Sequence, residues 1–161
     1  MTDIPAVYAG SFDPVTNGHM DVARRARDVF GSVVVLLIGN GCKRPLFDEA
    51  ERLALLQEAF KGERGIRVEH AQGLLTDYLK ANSLRVLVRG LRGAPDLEHE
   101  LLNAHYNKLF YSQAETVFLP ARAEYGFLSS SAVREAVRYG ADVSPLVPAC
   151  VARALKAKLS D

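Results

Sequence analysis

The sequence predicts a single-domain α/β fold, a doubly wound parallel sheet of five strands. Three observations predict it. Short apolar runs alternate with helical apolar patterns along all 161 residues, with no internal repeat and no composition break. The run at 33–38, V-V-V-L-L-I, is apolar without alternation, as expected of a strand covered on both faces. The two most unusual loops follow the first and the fourth strand. The hydrophobic fraction of 48% is ample for a core at this length.

In chain order, the first strand spans about 4–9. The helix after His19 carries apolar residues at Met20, Val22, Ala23, Ala26, Val29 and Phe30, and stops at Gly31. The strand at 33–38 leads into a loop at 39–45. Asp48 and Glu51 then form a capping-box pattern that opens a helix to about Lys61, with Leu53, Leu56, Ala59 and Phe60 on its core face. A short third strand spans 66–69, and 74–81 has a helical pattern after Gly73. The fourth strand, 85–88, runs into the loop Arg89-Gly90-Leu91-Arg92-Gly93. Pro95 suits the first turn of the next helix, which reaches about Phe110 with acids near its positive end. The fifth strand is 116–119. Ser129, Ser130 and Ser131 open a further helix, and Pro148 begins a last one that ends in Lys156 and Lys158.

Composition narrows the partners. A formal net charge of +1 gives no global field toward nucleic acid or a membrane surface. Cys42 and Cys150 read as free thiols of a reducing compartment. No apolar run is long enough to span a bilayer, and the N-terminal residues lack the basic start and apolar centre of a signal peptide, so a cytoplasmic protein is expected. His70, His99 and His105 lack ligand spacing with the cysteines, and no metal site is expected from protein ligands alone.

The chemistry concentrates at 9–19, A-G-S-F-D-P-V-T-N-G-H, between the first strand and the first helix. Gly10 and Gly18 lack a Cβ, so a ligand can approach the backbone or φ can turn positive. His19 opens the helix, where free N–H groups and the dipole favour an anion. A phosphorylated substrate follows, with His19 Nε2 donating to a phosphoryl oxygen where negative charge grows. Ser11 adds a hydroxyl and an N–H to the same loop. Asp13, before a proline, is expected to hold its own turn. Lys43, Arg89 and Arg92 are expected on loops at one edge of the sheet, where three cations suit clamps on phosphoryl groups; singly, each reads as surface charge. Three serines at 129–131 offer hydroxyls and free N–H groups together, more than the single serine a cap requires.

Thr16-Asn17-Gly18-His19 behind Gly10-Ser11-Phe12-Asp13-Pro14 resembles the nucleotidyltransferase superfamily, whose H-x-G-H members hold nucleotide phosphates with that motif. With Thr16 in place of the first histidine, it is similar to the bacterial phosphopantetheine adenylyltransferases. Lys43-Arg44-Pro45-Leu46-Phe47, Gly73-Leu74-Leu75-Thr76-Asp77-Tyr78, Arg89-Gly90-Leu91-Arg92 and the serine-rich helix start extend the resemblance over essentially the whole chain. It implies a Rossmann-like sheet of nucleotidyltransferase type in the order 3-2-1-4-5, with ligands at the switch between strands one and four. It implies catalytic roles for His19, Lys43 and Arg92. Lys43 and Arg89 would hold the phosphate of pantetheine 4′-phosphate, Ser11 would also bind this substrate, and Leu75 would contact its arm; from the residues alone, 73–78 reads equally as an ordinary core-facing helix start. ATP would meet Ser11, Phe12, His19, Gly90, Leu91, Arg92, Glu100, and Tyr125, Gly126, Phe127, Leu128, Ser129, Ser130 and Ser131. Asp96-Leu97-Glu98-His99-Glu100 departs from the family's D-F-E-Y-E, which alters any contact at position 99.

The implied reaction is adenylyl transfer from ATP to pantetheine 4′-phosphate, giving dephospho-coenzyme A and pyrophosphate. No nucleophile with a partnering base stands out, so direct in-line transfer is expected, by positioning and charge stabilisation. Mg2+ would arrive with ATP. The resemblance further implies a homohexamer and feedback inhibition by coenzyme A. Two rivals are a sister enzyme acting on nicotinamide mononucleotide or glycerol phosphate, against which Thr16 counts, and a non-catalytic nucleotide sensor, against which the joint presence of His19, Lys43 and Arg92 counts.

Overall fold

A computed structural model describes residues 4–39 and 45–158. The strands are β1 (Ala6–Gly10), β2 (Val33–Ile38), β3 (Ile66–Ala71), β4 (Val86–Leu91) and β5 (Glu115–Pro120). The helices are α1 (Asn17–Phe30), α2 (Glu49–Ala59), α3 (Leu75–Ala81), α4 (Ala94–Phe110), α5 (Ser130–Arg138) and α6 (Ala149–Lys158). All strand pairs are parallel, in the order β3-β2-β1-β4-β5, so the winding reverses between β1 and β4. The expected doubly wound order is the observed one.

The alternation of β1 decides the layering. Ala6 and Tyr8 face one side, packing with Val33, Val35 and Leu37 of β2, with Met20, Val22, Ala23 and Ala26 of α1, and with residues of α2, α5 and α6. Val7 and Ala9 face the other, with Val34, Leu36 and Leu87, under Leu79 of α3. A strand that must serve two apolar layers cannot alternate, which is why 33–38 reads as an unbroken apolar run. α4 lies beside α3 against β4 and β5, and none of its residues is buried.

Two elements differ from the sequence reading in a way that matters. β4 continues to Leu91, and Arg89 pairs with Phe118 of β5. Arg89 and Gly90 therefore sit on a strand, not on a loop. Gly90 is there for packing: a Cβ would stand 3.0 Å from Val22 Cγ2, so its absence lets α1 close onto β4. The second difference is in the first loop. Neither Gly10 nor Gly18 has positive φ; the left-handed position is Phe12, at φ 43°. Gly10 instead makes room for the Phe12 ring, whose Cζ would lie 3.1 Å from an added Cβ. A non-glycine residue held left-handed stores backbone strain, and here it lies within the motif at 9–19.

Candidate active site

Thr16 caps α1, and His19 is the third residue of that helix. The His19 N–H donates to Thr16 Oγ1 at 3.4 Å, and the Thr16 N–H donates to His19 Nδ1 at 3.0 Å. This is a capping box in which an imidazole takes the place of the usual Glu or Gln. Its chemical consequence is a tautomer. Nδ1 accepts, so the ring hydrogen sits on Nε2, the atom that donates outward. Phe12 stacks edge-on against the His19 ring at 5.2 Å between centroids, and Tyr8 lies 6.4 Å away. Burial, then the charges of Arg92 and Arg89, lower the His19 pKa to about 4. Near neutral pH His19 is thus an uncharged donor of fixed orientation. The spacing T-x-x-H was the available signal for this cap.

His19 lines a cavity of about 440 Å3 at the carboxyl ends of β1 and β4. Ser11, Phe12, Arg89, Gly90, Arg92 and Glu100 share its wall, as do Tyr125, Leu128, Ser129, Ser130 and Ser131. Leu91, Gly126 and Phe127 are not on that wall, and Phe127 is exposed. Leu75 lines a second cavity of about 320 Å3, which meets the first at Arg89 and Glu100. Lys43, together with Cys42, lies outside the described residues.

The two arginines are not free clamps. Arg89 grips Glu100 of α4 through two bonds of 2.6 Å and donates a third, of 2.6 Å, to the carbonyl of Ala9. Arg92 holds Asp96 at 2.7 and 2.9 Å, which keeps that carboxyl below its usual range. Carboxylates of α4 therefore fix both guanidinium planes.

Asp13 does more than hold its own turn. Its carboxylate accepts from the N–H groups of Leu46 and Phe47, at 2.8 and 2.9 Å, and faces Arg134 of α5. Arg134 also donates to the Asp13 carbonyl. One buried acid so ties the β1–α1 loop to the chain entering α2 and to α5. Such a contact, between positions 33 and 121 residues apart, leaves no local mark in a sequence.

The serines divide their work. Ser129 is the N-cap of α5, accepting from Ala132 N–H at 3.0 Å. The Ser130 hydroxyl donates to the carbonyl of Pro14 at 2.8 Å, and Arg134 donates to Ser131 Oγ at 3.2 Å. Ser130→Ala should cost about 0.5–1.5 kcal/mol in thermal or urea unfolding, because Pro14 loses its donor. A melt identical to that of the parent would show the bond to be incidental.

A family profile described as cytidylyltransferase-like matches residues 7–136. The chain is 48% identical over 156 residues to a phosphopantetheine adenylyltransferase of Thermotoga neapolitana, covering 97% of each chain. It is 44% identical over 155 residues to the enzyme of the same name from Dictyoglomus turgidum, covering 96% of this chain and 97% of that one. Against the one from Carboxydothermus hydrogenoformans the identity is 44% over 153 residues, covering 95% of this chain and 94% of the other. The loop at 9–19, Arg89 and Arg92, and the serines at 129–131 all fall within the matched region, and the chain belongs to the cytidylyltransferase-like nucleotidyltransferases, in the family of the phosphopantetheine adenylyltransferases.

Proposed function

We propose that this chain is a one-domain enzyme that transfers the adenylyl group of ATP to pantetheine 4′-phosphate, releasing pyrophosphate and dephospho-coenzyme A. The observation that carries the reading is the joining of two cavities at Arg89 and Glu100. The first is built for phosphates: His19 Nε2, Arg92, and the start of α5. The second is smaller and amphipathic, with Leu74, Leu75, Tyr106 and Phe110 beside Asn103 and Asn107. An extended arm of methylenes and amides ending in a phosphate fits that sequence of surfaces, with its phosphate at Arg89. The acceptor phosphate attacks the α-phosphorus in line, and no general base is needed because the attacking monoester is largely ionised near neutral pH.

Mg2+ bound to the triphosphate would supply charge to offset that of its oxygens. The carboxylates of the wall, Asp96 and Glu100, are each engaged with an arginine, which fits an ion carried in by ATP better than one caged by the protein. Among the described residues no helix is long and apolar enough to cross a membrane. We place the enzyme in the cytoplasm, without nucleic-acid partners. It assembles as a homohexamer and is inhibited by coenzyme A, which carries the same arm and an adenosine. Leu102, Tyr106, Leu109 and Phe110 of α4, each half or more exposed, supply apolar surface for such self-association.

Pyrophosphate release from ATP and Mg2+ tests the assignment. Turnover is expected with pantetheine 4′-phosphate and not with nicotinamide mononucleotide or glycerol 3-phosphate. Preference for either of the latter would make the chain a sister enzyme; ATP binding without turnover on any acceptor would make it a sensor.

A further inference from the structure

Tyr8 is a group at this site that neither the motif nor the pairing just described uses. It lies on β1, 6% exposed, and its ring packs edge-on against Phe12 at 5.6 Å between centroids. It also borders the phosphate cavity. No protein hydrogen bond is made by its hydroxyl among the described residues. That hydroxyl is also not sealed away: Thr76 Oγ1 is the one side-chain oxygen or nitrogen there that is both fully buried and unpartnered. Tyr8 is thus part of the cavity wall, within the fields of Arg89, Glu100, Arg92 and Asp21.

Burial alone does not account for a hydroxyl here. Phenylalanine would pack the same ring without an unpaired polar atom, which costs free energy when it is left without a partner. The neighbours say what the partner is. Arg89, on the adjacent strand, gives the largest charge effect on Tyr8, and His19 lies across the ring. A phosphoryl group drawn to Arg89 and His19 in this cavity would come against the wall that Tyr8 shares with them. Burial pushes the phenol's pKa up, so it keeps its proton throughout the working range and can only donate to an anion.

We propose that the Tyr8 hydroxyl is a further catalytic hydrogen-bond donor, directed at the phosphoryl group that lies between His19 and Arg89 during transfer. The proposal rests on the adenylyltransferase reading for its turnover test and on the cavity geometry alone for its binding test. No proton is transferred. The phenol donates one hydrogen bond to a non-bridging oxygen, and the bond tightens as charge builds there.

Tyr8→Phe removes the hydroxyl and keeps the ring. The expected result is a fall in kcat of about tenfold or more, the size of a lost bond to a charged group, with KM for both substrates changed less than kcat. The thermal melt should be unchanged or slightly higher. A kcat within twofold of the parent overturns the proposal. A second measurement does not depend on turnover. The parent chain is labelled with 3-fluorotyrosine, and the residue 8 resonance is identified by its loss from labelled Tyr8→Phe. That resonance should move when a non-hydrolysable ATP analogue and pantetheine 4′-phosphate are added together. A resonance that stays fixed while other tyrosine signals report binding overturns the proposal. If the parent turns over no acceptor, the enzymatic reading falls, and the fluorine shift on the ATP analogue alone decides for or against Tyr8.

Discussion

His19→Ala lowers kcat by at least about 10²–10³, with ATP affinity changed far less. The size is that of removing one preorganised donor from a site that stabilises developing charge, roughly 2.7–4 kcal/mol. The geometry states why the loss falls on the transition state. His19 is neutral and already oriented by Thr16, so no reorganisation is needed as the charge on the α-phosphoryl oxygens shifts. The same geometry complicates the alanine variant. The imidazole is a helix cap and a ring partner of Phe12, not a solvent-facing loop group, so His19→Ala also costs about 0.5–2 kcal/mol of stability. His19→Gln separates the two roles. Glutamine at the third helical position is a standard capping-box partner, so the melt should largely recover while turnover does not. Turnover that recovers together with the melt would make the cap, not the donor, the function of His19.

The protonation state has its own check. In a histidine NMR titration, His19 should stay neutral down to about pH 4, with Nδ1 showing the shift of an unprotonated acceptor and Nε2 that of a nitrogen bearing hydrogen. The sign for stability follows. The folded pKa lies below the unfolded value, so the folded state binds fewer protons. The contribution of His19 to stability is complete above the unfolded value, near 6.5, and is lost as pH falls toward about 4.

What the sequence showed and what it hid divide by distance along the chain. Strand positions, the helix start at Glu49, and the unbroken apolar run of β2 are local patterns, whereas the first helix begins at Asn17, two residues before the His19 that opens it in the sequence pattern. The motif at 9–19 was legible because its residues sit within one loop. The extension of β4 through Arg89 was not, since arginine and glycine at a strand end look like loop chemistry, and only the pairing of Arg89 with Phe118 keeps them in the sheet. The arginine–carboxylate pairs were equally hidden: Glu100 lies 11 residues from Arg89, and nothing in a helical pattern says which acid faces the sheet. Tyr8 lies within the first strand of the sequence pattern, with nothing local to single it out. Its meaning comes from Arg89 on the neighbouring strand and His19 on the helix, which only the fold brings to it.

Arg89→Met carries the second large effect and acts on stability and binding at once. The substitution keeps an apolar stem and removes the guanidinium, leaving the Glu100 carboxylate and the Ala9 carbonyl without their donor. Breaking a fully buried pair costs about 3–5 kcal/mol; with side chains 27% and 12% exposed, the loss here belongs at or below the low end of that range. Pantetheine 4′-phosphate binding, by calorimetry, should weaken by at least tenfold, the loss expected for a bond to a charged group. ATP binding should weaken less, because Arg92 and the start of α5 remain. Adding Glu100→Gln to Arg89→Met removes the orphaned charge, so the double variant should regain much of the stability and none of the acceptor affinity. That split is the decisive outcome. A guanidinium that merely braces α4 against the sheet would lose its importance once Glu100 is neutralised, and acceptor affinity would return with the melt. A guanidinium that receives the acceptor phosphate cannot be replaced by relieving its partner, because the charge that binds the ligand is gone in both variants.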